Sequence, residues 1–243
     1  MKIVVAGKGG AGKTTVSGTI ARVMGRSGQQ VVALDADVNP MLGVTLGMGI
    51  EATEKLAGVR QSLQDGDLDH VPTVEAMVDS FGVDAPDGVR VVVASHMDRP
   101  DEGCGCCGVT TEHLLSELET KGRTVLGDLE AGTGVLTRMA SGSIDLVLVV
   151  VNPTVKSIEV ARRAVAAAVA RDYRVLVLAN RIQKEEDLDA IATVLAGHEI
   201  VVIPEDPAIV RADAEGLAPL DVDASGPGMQ ALVKLGDRLA AAA

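Results

Sequence analysis

Short runs of β-branched and aliphatic residues recur along the chain, and longer helix-like stretches separate them. The runs at residues 3–6, 31–34, 89–94, 124–126, 146–151, 175–179 and 200–203 predict strands. Several are continuously apolar, the pattern of parallel strands buried on both faces rather than wetted on one. Between them, residues 14–26, 111–118, 158–170, 187–195 and 230–242 predict helices. Alternating strand and helix implies a doubly wound α/β fold, a mostly parallel sheet with helices on both faces and right-handed crossovers. One domain over residues 1–243 accounts for this order. Residues 47–88, rich in Asp and Gly and weakly periodic, fit least and read as a helical excursion between the second and third strands. Residues 240–243 read as a frayed helix end.

Composition removes whole function classes. The chain has 243 residues, 47% hydrophobic and 23% charged, an ordinary soluble globular balance with length enough for a sizeable core. Aromatic residues are only 1%, so the core is aliphatic and base-stacking platforms for single-stranded nucleic acid are missing. A net charge of -12 repels phosphate backbones and anionic headgroups. No nucleic acid and no stable membrane binding are therefore expected. No apolar run approaches the roughly 20 residues of a membrane span. The chain starts directly in its first strand without a signal peptide, which makes the cytoplasm the expected location.

The first strand runs into Gly7-Lys8-Gly9-Gly10-Ala11-Gly12-Lys13-Thr14-Thr15, and a helix follows. This satisfies GxxxxGK[ST] in the strand–loop–helix context that the pattern requires. Glycines let the amides of residues 9–12 converge on phosphate oxygens, and the helix N-terminus adds a favourable dipole. Lys13 neutralises the β- and γ-phosphates and the Thr14 hydroxyl takes Mg2+, with Thr15 beside it. The expected ligands are ATP and ADP with Mg2+, in a P-loop NTPase fold.

With Lys8 in the form KGGxGKT, the loop resembles the deviant Walker A loop of the MinD/ParA, nitrogenase iron protein and CooC superfamily. The resemblance implies that Lys8 reaches across a nucleotide-sandwich homodimer to the partner's phosphates. Asp35-Ala36-Asp37-Val38-Asn39-Pro40 resembles the switch I segment. A carboxylate there orients or deprotonates the attacking water. Asp37 is the first choice; Asp35 is the runner-up, or binds Mg2+ through water, and one of the two can serve as a helix cap. Val125-Leu126-Gly127-Asp128-Leu129-Glu130-Ala131-Gly132-Thr133-Gly134 resembles Walker B and switch II. There Asp128 binds a magnesium-ligated water and the Gly132 amide senses the γ-phosphate. Asn180-Arg181 resembles the adenine-recognising Asn, and Ile203-Pro204-Glu205-Asp206-Pro207 the loop whose backbone frames the base.

All three cysteines lie in Gly103-Cys104-Gly105-Cys106-Cys107-Gly108. A secreted disulfide framework spreads its cysteines to close loops, so metal or redox chemistry is the better reading. Two thiols one residue apart pair poorly with each other but can ligate one soft metal, and a symmetric dimer doubles them to a tetrahedral set. His96 and His113 flank the cluster. Together, KGGAGKT, a CxC about a hundred residues in, and DLEAG resemble the CooC family of nickel-handling ATPases. Those proteins serve carbon monoxide dehydrogenase maturation. The resemblance implies Ni2+ or Zn2+ on Cys104 and Cys106 at the dimer interface, with Cys107 a possible substitute, and a client metalloenzyme. An iron–sulfur ATPase like the nitrogenase iron protein is less favoured, because residues 128–134 lack the second cysteine that family uses. The other alternative is a MinD- or ParA-like positioning or partitioning ATPase. Against it stand the acidic chain and the weakly amphipathic end Leu232-Val233-Lys234-Leu235-Gly236-Asp237-Arg238-Leu239.

Overall fold

The computed structural model describes residues 1–37, 39–65, 67–69, 71–94 and 110–243. In chain order they form β1 (Lys2–Gly7), α1 (Lys13–Arg26), β2 (Val31–Ala36), α2 (Leu42–Thr45), α3 (Ile50–Asp65), α4 (Val74–Phe81), β3 (Val83–Ala85) and β4 (Val89–Val93). Then come α5 (Thr111–Glu117), β5 (Thr124–Leu129), α6 (Gly134–Arg138), β6 (Leu146–Val151), α7 (Val155–Val169) and β7 (Arg174–Ile182). The chain closes with α8 (Glu185–Val194), β8 (Ile200–Pro204), α9 (Pro207–Glu215), α10 (Pro219–Val222) and α11 (Pro227–Ala240).

The strands make one eight-stranded sheet in the order β3-β4-β2-β5-β1-β6-β7-β8. Every pairing is parallel except β3 with β4. Successive side chains on a strand point to opposite faces, and β1 shows the consequence. Val4 and Ala6 enter the core under α7, with Ile158, Ala161 and Val165, whereas Ile3 and Val5 enter the core under α1 and α11, with Ile20, Met24, Leu232 and Leu235. Helices on both faces explain why β6 is apolar at all six positions.

Each predicted strand is present. β5 runs on through Gly127 and Asp128, because a carboxylate at a strand end still pairs by its backbone. β3 escaped prediction because it has three residues, two of them exposed, and leaves no alternation to read. Residues 47–88 contain α3, α4 and β3. Arg22 of α1 reaches into this region, bonding Asp87 at 2.6 Å, and also bonds Asp221 of α10 at 2.7 Å. Among the described residues no helix is long and apolar enough to cross a membrane. The parallel topology brings the carboxyl ends of β1, β2, β5, β6 and β7 to one edge. Ligands bind there in open α/β sheets, because loops and helix N-termini face that edge.

Candidate functional site

β1 ends at Gly7, and only glycine serves here: a Cβ would stand 2.3 Å from the Val150 carbonyl oxygen of the neighbouring strand. The turn closes with the Ala11 N–H donating to the Lys8 carbonyl at 3.1 Å. Gly12 is left-handed, φ 98°, at the N-cap of α1, and among the described residues no side chain caps that helix. Its first amides are thus open to an external acceptor, at the positive end of the helix dipole. The Asn180 Nδ2 donates to the Ala11 carbonyl at 2.8 Å, so the predicted base-side residue also props the loop. Lys13 is 7% exposed, held under the loop. Lys8 is half-buried and its Nζ donates to the Gly9 carbonyl at 3.2 Å. Open amides, missing Cβ atoms and a sequestered ammonium together form an anion cradle of the kind a polyphosphate fills.

Two carboxylates lie beneath it. Asp35 on β2 and Asp128 on β5 are cross-strand partners, 2% and 1% exposed. Asp35 accepts from the Leu42 N–H at 2.8 Å and the Asp37 N–H at 3.3 Å. Asp128 accepts from the Ser17 hydroxyl at 3.0 Å. Burial, reinforced by the Asp128 charge, pushes the Asp35 carboxyl up to about 7. Burial also raises Asp128, to about 6, against the opposing pull of Thr14, Lys13 and Ser17. With the Thr14 hydroxyl these groups form an all-oxygen donor set, which suits a small hard cation such as Mg2+. Asp37 is half-buried, and its Oδ1 accepts from the Asn39 N–H at 3.0 Å. The Gly132 N–H donates to the Gly7 carbonyl at 3.2 Å, tying the loop after β5 to the end of β1.

The raised carboxyls make stability pH-dependent. Both bind protons more tightly folded than unfolded, so their contribution is full below pH 4 and is lost as pH rises through about 6 and 7. The nucleotide- and magnesium-free protein is expected to melt at progressively lower temperature between pH 4 and pH 8. Asp35→Asn, which keeps an acceptor for Leu42, is expected to flatten that slope in thermal scans; an unchanged slope would refute the assignment.

Beside Gly12 and Thr15 opens a cavity of about 300 Å³. Asn180, Arg181, Pro204, Glu205 and Asp206 all line it, so residues predicted from two distant stretches converge. Arg181 adopts φ 61° at the irregularity where β7 leaves register with β8. Asp206 is 4% exposed, and its carboxylate accepts from Ala208 at 3.0 Å and from Gly228 and Met229 at 3.1 Å each. It is occupied in capping α9 and α11, which leaves its backbone to the cavity. The sequence reading missed Val16, Ile209, Val210, Asp213 and Leu232 of the lining. It also missed Ser17, whose signal was a polar residue one turn after Thr14 on an otherwise apolar helix face.

Cys104, Cys106, Cys107 and His96 lie outside the described residues. His113, on α5, is exposed. Among the described residues no three His, Cys, Asp or Glu side chains gather as a metal centre.

Residues 2–220 match the CobQ/CobB/MinD/ParA nucleotide binding domain. An uncharacterised ATP-binding protein of Methanocaldococcus jannaschii is 28% identical over 238 residues, 92% of either chain. The carbon monoxide dehydrogenase accessory protein CooC of Rhodospirillum rubrum is 30% identical over 244 residues, 91% of this chain and 90% of its own. The septum site-determining protein MinD of Pyrococcus horikoshii, solved with Mg-ADP, shares the fold with a TM-score of 0.67 at 21% identity, over 98% of this chain and 95% of that one.

Proposed function

Because this chain belongs to the CobQ/CobB/MinD/ParA family of nucleotide-binding P-loop ATPases, we propose that it is a dimerising maturation ATPase that uses ATP to deliver nickel to a client metalloenzyme of the carbon monoxide dehydrogenase kind. One domain over residues 1–243 carries both tasks. The observation behind this choice is the 30% identity to CooC across nine-tenths of both chains, in a sequence that holds Cys104, Cys106 and Cys107 together.

In this reading the amides of Gly9, Gly10, Ala11 and Gly12 and the Lys13 ammonium hold the phosphates, with Thr15 at the first turn. The Thr14 hydroxyl, and through water Asp35 and Asp128, would hold Mg2+, which would supply charge neutralisation. Asp37 orients the attacking water. Asn180, Arg181 and the backbone at Pro204, Glu205 and Asp206 frame the base. Lys8 reaches the phosphates of a second copy, so hydrolysis is slow in the monomer. The Gly132 amide, bonded here to the Gly7 carbonyl, exchanges that acceptor for the γ-phosphate, and the loop it belongs to leads into α6.

Two described contacts favour coupling between nucleotide and thiols. The Ala94 N–H, at the last described position before the cysteine stretch, donates to the Asp35 carbonyl at 2.7 Å. After that stretch, Glu112 of α5 accepts from Arg138 of α6 at 2.5 Å. The described residues that border the stretch are thereby tied to β2, which carries Asp35, and to α6. Coupling of this kind is reciprocal and typically worth ~1–3 kcal/mol.

Anaerobic size-exclusion with element analysis, offering nickel and zinc with and without ATP, tests the reading. The expected result is one soft metal ion per ATP-dependent dimer, lost in Cys104→Ser with Cys106→Ser while the monomer still folds. Stoichiometric metal in that double variant would move the ligands to Cys107 and the histidines. A metal-free ATP dimer that co-sediments with vesicles or DNA would overturn the maturation reading in favour of a positioning ATPase.

A further inference from the structure

We propose that Ser17 is a positioning residue for the cation side of the phosphate site: its hydroxyl sets the rotation of the Asp128 carboxylate. The proposal rests on the phosphate-site reading above and deepens it. Ser17 is fully buried in α1, whose neighbouring Val16, Ile20, Ala21 and Met24 pack apolar side chains into the core. Alanine there would favour the helix and leave no hydroxyl to satisfy. A serine inside a helix commonly turns its hydroxyl back to the carbonyl four residues earlier. Here the hydroxyl crosses to Asp128 Oδ1, at 3.0 Å and 111 positions along the chain.

Spacing gives the bond its use. Residues three apart share a helix face, so Ser17 stands one turn below Thr14, and the Thr14 hydroxyl lies against the same carboxylate. Two hydroxyls of one helix thus flank one carboxylate of β5, and α1 itself begins at the phosphate cradle. With Ser17 holding Oδ1, the carboxylate cannot turn freely about its Cβ–Cγ bond. Its remaining acceptor capacity is kept on the Thr14 side, where magnesium-bound water is to be taken. Ser17 touches neither nucleotide nor cation; it acts through Asp128.

Calorimetry of ADP binding to the full chain, with magnesium and in excess chelator, separates this from a packing role. Ser17→Ala is expected to bind ADP as the unmodified protein does in chelator and to lose about tenfold of the magnesium-dependent gain in affinity. Ser17→Thr, which keeps the hydroxyl, is expected to retain more of that gain. In an Asp128→Ala background the Ser17→Ala change should have no further effect on magnesium dependence, as a double-mutant cycle requires of a residue acting through another. An intact magnesium-dependent gain in Ser17→Ala, an equal loss with and without magnesium, or additivity with Asp128→Ala would each overturn the proposal. Failure of the unmodified protein to bind nucleotide at all would overturn the phosphate-site reading itself, and this inference with it.

Discussion

Replacing Lys13 with alanine is expected to remove measurable ATP binding while leaving the fold intact. Lys13 is 7% exposed and opens α1, under a loop whose amides have no side-chain cap among the described residues. On the loop side, neutral amides then face a highly charged triphosphate without the ammonium. Charge-assisted hydrogen bonds contribute about 1.5–3 kcal/mol each, so losing one to each of two phosphates weakens binding by roughly 10²–10⁴-fold. The fold should tolerate the change, because alanine is a good helix former and burying a lysine costs free energy. Fluorescent-nucleotide titration alongside a thermal melt checks both halves. Normal affinity in a folded Lys13→Ala protein would refute the phosphate-loop assignment.

Asp37→Ala is expected to abolish turnover and keep nucleotide, trapping an ATP-bound dimer. The geometry favours Asp37 over Asp35 for the proposed water-facing role. Asp35 is buried, and its oxygens accept from Leu42 and Asp37, which anchors the turn into α2. Asp37 is half-buried and its carboxylate bonds only the Asn39 N–H among the described residues, so it has an oxygen to spare for water. Removing a positioned general base costs about 10²–10⁴-fold in rate. Phosphate release and size-exclusion in ATP give the two readouts. Ordinary hydrolysis by Asp37→Ala would transfer the role to Asp35. A protein that neither hydrolyses nor binds would mean that Asp37 shapes the loop instead.

The alternation of strand and helix, the doubly wound class and the phosphate loop were legible because their information is local. A strand buried on both faces must be apolar along its length, and a phosphate cradle is built from consecutive residues at one strand–helix junction. Residues 7–15 therefore state their chemistry without help from the rest of the chain. Asn180 and residues 204–206 were legible only through resemblance, since nothing in their spacing brings them to Gly12. What folding alone decided is which side chains meet. It gave the Asp206 carboxylate to two helix N-termini, set Asp35 against Asp128 in register, bonded Ser17 to Asp128, and made β3 from three residues without a pattern. Periodicity reports which face of an element is buried. It does not report which polar partner arrives there from a hundred residues away, and at this site that partner determines what each carboxylate is free to do.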